Sequence, residues 1–74
     1  MALEDIYTGI ESHRLIRFMY TTQKGDTSLR TVEPYSVERG LFFAFDISKD
    51  GTRSFFLAMM SDVELLDVVF IPRF

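Results

Sequence analysis

The chain has 74 residues, with 8 Lys and Arg against 11 Asp and Glu, one His, and a formal net charge of −3 at pH 7. Hydrophobic residues make up 47% of it, including eight Phe, which is enough to bury a core and excludes a disordered tail. The length allows one small domain, residues 1–74; the acidic balance excludes a general electrostatic grip on duplex nucleic acid, and the lack of Cys excludes disulfides, thiolate metal sites and a Cys nucleophile.

The first residues, Met-Ala-Leu followed by Glu4 and Asp5, contain no basic stretch and no apolar segment of an export signal. The longest apolar run, Phe55 to Met60, is six residues, whereas a membrane helix needs about 20. The expectation is a cytoplasmic chain with no membrane partner. Leu3, Ile6, Tyr7 and Ile10 fall at i, i+3, i+4 and i+7, the spacing of one helix face. A short helix is predicted over residues 2–12. Glu4 and Asp5 suit its N-terminal end, and His13 and Arg14 suit its C-terminal end. Gly9 weakens such a helix by about 1 kcal/mol relative to Ala, so the helix needs a surface to lie on.

The period then changes to two. Ile16, Phe18 and Tyr20 alternate with Arg17, Met19 and Thr21, which predicts a strand over 14–22. Gln23-Lys24-Gly25-Asp26 reads as a turn. A second strand is predicted over 27–38, with either Arg30 and Val32 or Leu29 and Thr31 facing inward. Beyond Pro34 the apolar set becomes Tyr35 and Val37, so the parity switches. A sharp bend near Glu33-Pro34 explains this, since proline has no N–H and belongs at a bend, bulge or edge. Leu41 to Phe45 is apolar at every position, so the third strand (41–47) is expected to be covered on both faces. Ser48-Lys49-Asp50-Gly51 is a hairpin signal. A fourth strand is predicted over 52–60 and a fifth over 62–67. One helix followed by five strands and tight turns implies a mainly β fold. The expected architecture is a small five-stranded barrel, because closure removes exposed edges.

No catalytic constellation emerges. His13 has no Cys or second His beside it, Lys24-Gly25-Asp26 lacks the glycines of a phosphate loop, and Asp46 and Asp50 fall short of a calcium loop. The chain is expected to be no enzyme and to carry neither metal nor cofactor. Two features remain. Arg17, Arg30 and Arg53 share faces with apolar strand residues, and an arginine so placed must reach water or meet an anion. Large apolar residues at Phe42, Phe56, Met59, Met60, Phe70, Ile71 and Phe74 exceed what a barrel of this size encloses, which points to an interface.

Residues 6–70 resemble a WYL domain, the Sm-like or SH3-like barrel of bacterial transcription regulators. The resemblance rests on Ile16-Arg17-Phe18-Met19-Tyr20, on Arg30-Thr31-Val32-Glu33-Pro34, on Leu41 to Asp46, on Arg53-Ser54-Phe55-Phe56-Leu57, and on Val63 to Asp67 with Phe70. The family's Trp-Tyr-Leu triplet falls on Gly40-Leu41-Phe42. Its Phe-Arg-Leu-Asp-Arg-Ile strand reads Phe55-Phe56-Leu57-Ala58-Met59-Met60, so two basic positions are apolar here. The resemblance implies a divergent, stand-alone regulatory module, since 74 residues leave no room for the usual helix-turn-helix or C-terminal extension. It also implies a ligand, with nucleotides or single-stranded nucleic acid as candidates. Arg30 and Arg53 would hold the anionic group near Tyr35, while Phe56, Met59 and Met60 would form an interface with a second copy or a separate regulatory protein. The expected role is regulation of transcription by protein interaction with residual ligand sensing. The alternative is a structural homo-oligomerisation module with no ligand.

Overall fold

A computed structural model describes residues 3–74. Helix α1 (Leu3–Ser12) is followed by strands β1 (Arg14–Thr21), β2 (Thr27–Glu38), β3 (Leu41–Asp46), β4 (Gly51–Phe56) and β5 (Met60–Val69). Short 3₁₀ turns, Ile47–Lys49 and Leu57–Met59, precede β4 and β5. The five strands form one antiparallel sheet in the order β4-β3-β2-β1-β5. The predicted helix started at residue 2, which lies outside the described residues. No helix among them is long and apolar enough to cross a membrane.

A mainly β fold of five strands behind one helix is what the sequence predicts. Closure of the barrel is not observed: β4 and β5 are the two edges of the sheet and do not pair. The sheet curls instead, and one corner is tied by a side chain where the Phe56 amide donates to the Tyr20 hydroxyl at 3.0 Å. The predicted strand 52–60 is split. Phe55 and Met60 are both buried, 2% and 6% exposed. Five residues apart on one strand they would point to opposite faces. The 3₁₀ turn Leu57–Met59 redirects the chain so that both enter the same core.

That core comprises Ile6, Ile16, Phe18, Val32, Phe42, Ala44, Phe55 and Met60. Phe18 sits at its centre, edge-on to Phe55 at 5.1 Å and inclined to Phe42 at 6.0 Å between centroids. Phe42 and Met60, counted from sequence among the surplus apolar residues, therefore belong to the core. Phe42 lies directly opposite Phe55 across the β3–β4 ladder, and facing residues share one face. Leu29 is 58% exposed while Val32 is fully buried, which selects Arg30 and Val32 as the inward set of β2. The register slips between Pro34 and Ser36, and this bulge at Tyr35 carries the parity switch to Val37.

Helix α1 seals one end through Ile6, which is fully buried. Gly9 is buried too, because a β-carbon there would sit 2.7 Å from the Ile16 Cδ1 and 3.1 Å from the Arg14 carbonyl oxygen. The helix stops at His13, whose φ of 55° is the left-handed conformation common just beyond a helix end.

Candidate ligand and interaction sites

Direct partners across a ladder place Phe18, Arg30, Val32, Asp46, Ala44 and Arg53 on the concave face of the sheet. Arg30 and Arg53 thus share a face, but their surroundings differ. The Arg30 guanidinium donates from Nη1 to Asp46 Oδ2 at 2.8 Å and from Nε to Ser28 Oγ at 2.9 Å, and lies 5.7 Å from the Phe55 ring centre. Asp46 is fully buried, and its other oxygen accepts from the Ser48 backbone N–H at 3.1 Å and hydroxyl at 2.9 Å. Burial pushes the Asp46 carboxyl up, but the bonds from Arg30 and Ser48 outweigh it and hold the group below its ordinary value. The anion that Arg30 requires is therefore supplied from within the chain. Arg53 is exposed and makes no salt bridge among the described residues.

Tyr35 is not brought to these arginines. Glu33 and Phe45 are direct partners one position away from Val32 and Asp46, so they occupy the convex face. The Tyr35 hydroxyl turns to that side and donates to Glu33 Oε1 at 2.8 Å. Its ring meets Phe70 and Phe74 edge-on at 5.7 and 5.0 Å. Burial raises the phenol above its ordinary value; the Arg73 amide, which donates to the same oxygen, pulls the other way, and the Glu33 carboxylate adds to the rise.

The residues expected at an interface also divide. Met60 is in the core, whereas Phe56 is 53% exposed and Met59 half-buried. Phe56 and Met59 line an open groove of about 700 Å³ together with Tyr20, Thr22, Gln23, Lys24 and Asp26. The groove combines the apolar Phe56 and Met59 and the Tyr20 ring with the polar Thr22, Gln23, Lys24 and Asp26, the composition of a contact patch.

Asp46, Glu33 and Arg73 are not among the site residues expected from the sequence, where Asp46 is weighed only as part of a calcium loop. The signal for Asp46 was an acid ending an otherwise apolar strand. For Glu33 it was a carboxylate beside a proline at the predicted bend.

The family model for the WYL domain matches residues 1–65 of this chain. The chain belongs to the WYL domain family. Among solved structures, this WYL domain is similar to proteasome accessory factor B/C (PafBC) of Arthrobacter aurescens, with a TM-score of 0.82 and 26% identity over 92% of the chain. It spans 11% of the length of that PafBC chain. No curated protein matches it.

Proposed function

We propose that this WYL domain is a regulatory, non-catalytic module of transcription control that works by protein interaction through the groove at Phe56 and Met59. The observation that carries this reading is the half-exposed Phe56 ring beside Met59 and Tyr20. A large aromatic left in water at the rim of an apolar groove gains most when a partner covers it. The internal neutralisation of Arg30 by Asp46 supports the same reading, since it removes one of two cations a phosphate ligand would need. Family membership and the similarity to PafBC support a regulatory role. Sedimentation velocity over a concentration series tests it: the mass should rise with concentration, and Phe56→Arg should return it to that of a monomer. A wild-type chain that stays monomeric at every concentration overturns self-association as the mode of contact.

Exposed Arg53, beside Phe55 on the concave face, favours a second reading in which the domain retains nucleotide or single-stranded nucleic-acid sensing. A nucleotide and oligonucleotide panel should then raise the melting temperature, and Arg53→Ala should abolish the rise. Arg53 is the cleaner variant, because removing Arg30 strands the Asp46 carboxylate. No shift from any member of the panel removes this reading.

A further inference from the structure

The convex face carries a second built site that shares no residue with the groove or with the Arg53 face. Glu33, at mid-strand in β2, is only 5% exposed. Its Oε1 accepts from Arg73 Nε at 2.9 Å and from the Tyr35 hydroxyl at 2.8 Å, and its Oε2 accepts from Arg73 Nη2 at 3.2 Å. The Arg73 guanidinium lies 3.8 Å from the Phe45 ring centre. The Arg73 backbone N–H donates to the Tyr35 hydroxyl at 3.0 Å. A carboxylate forming two parallel bonds and an aromatic face read the features that distinguish a guanidinium from an ammonium, while the Tyr35 hydroxyl orients the carboxylate and holds the backbone of the bound residue.

Receptor and occupant differ in kind. Glu33 and Phe45 stand on adjacent, paired strands. Arg73 rides on residues 70–74, which have no regular structure, include Pro72, and leave Ile71 89% and Phe74 79% exposed. Apart from the Phe70 amide bond to the His13 carbonyl at 2.8 Å, the polar anchorage of this strap is concentrated on Arg73. If the strap departs, a buried carboxylate is left uncompensated, which is strongly unfavourable. Exchange of one arginine for another is therefore favoured over an empty cleft.

We propose that the cleft of Glu33, Tyr35 and Phe45 is an arginine-recognition site, filled in cis by Arg73 and filled in trans by a partner-protein segment with an arginine followed by an aromatic residue. The strap itself is the template for that partner: Arg73 enters the cleft while Phe74 packs edge-on against Tyr35. The strap then acts as an intramolecular competitor that sets the threshold for the partner.

The test uses the full chain bearing Arg73→Ala and the acetylated, amidated peptide Phe-Ile-Pro-Arg-Phe, the sequence of residues 70–74. Titration calorimetry should show saturable binding to the Arg73→Ala chain with a rise in its melting temperature. Binding to the wild-type chain should be weaker by about tenfold or more, because the cis strap is present at high effective concentration. A peptide with lysine in place of arginine should not bind, and Glu33→Gln added to Arg73→Ala should abolish binding. If Arg73→Ala does not fold, Arg73→Lys serves in its place, keeping a cation near Glu33 while losing the fork and the stacking. No binding to the folded open-cleft variant overturns the proposal, as does equal binding to the variant and the wild-type chain. Neither result bears on the Phe56 groove, which sedimentation tests separately.

Discussion

Arg30 and Asp46 show how one pair of residues changes the meaning of a face. An arginine among core-facing side chains must find water or an anion, and here it finds Asp46, which in turn holds the Ser48 backbone. The carboxyl is held below its ordinary value in the folded chain. The unfolded chain therefore binds the proton more readily, so this group stabilises the fold above its unfolded pKa of about 3.9 and its contribution is lost as pH falls through the lower, folded value. Thermal melts from pH 7 down to pH 2 should show the melting temperature of the wild-type chain dropping at the acid end. Asp46→Asn should melt lower at pH 7, because Arg30 loses its counter-charge, and its acid slope should be shallower. Parallel slopes for the two chains would remove this account of Asp46. The exposed Arg17–Glu64 pair, at 2.7 Å, is a useful contrast: an ion pair in water contributes about 0–1 kcal/mol, so Glu64→Gln should leave the melt nearly unchanged.

At the scale of elements, Gly9 decides how α1 meets β1. In an exposed helix, Gly→Ala adds about 1 kcal/mol of stability. Here the new methyl would lie 2.7 Å from Ile16 Cδ1 and 3.1 Å from a backbone oxygen. The side chain can give way, but the carbonyl cannot. Gly9→Val should therefore cost about 1–3 kcal/mol as an overpacked contact, and Gly9→Ala should show no helix-propensity gain. Chemical denaturation of both variants checks this; a stabilised Gly9→Ala would mean that the helix does not rest on β1. The two breaks in strand alternation also belong at this scale. Pro34 advertised the first, and the structure places the bulge one residue on, at Tyr35. Nothing advertised the second, because Phe55, Phe56, Leu57, Met59 and Met60 are all apolar and every face of a strand there reads as hydrophobic. Only the shared core of Phe55 and Met60 forces the turn between them.

For the whole molecule, the small core sets the margin. A domain of this size holds about 3–5 kcal/mol in its core, and deleting a central aromatic side chain removes a similar amount. Phe18 is fully buried and meets Tyr20, Phe42 and Phe55 edge-on or inclined. Phe18→Ala should leave the chain without a cooperative melting transition, read by far-UV circular dichroism on heating. A sharp transition near the wild-type temperature would show that the core is not organised around this ring. The edges matter as well. The ladder stays open between β4 and β5, and β5 carries Asp62, Glu64 and Asp67, charges that discourage pairing of its edge with other strands.

Hydrophobic periodicity by itself determined the short helix, the succession of extended segments and the bend beside Pro34, because these are local consequences of which side chains seek one face. Residue order also determined the family resemblance, which the match over residues 1–65 bears out. Tertiary structure alone decided whether the sheet closes, where β4 ends, and which charges are already satisfied. Arg30 and Asp46 are 16 residues apart, and Glu33 and Arg73 are 40. No local pattern records such pairings, since each exists only where the folded sheet brings a guanidinium to a carboxylate that burial has cut off from water.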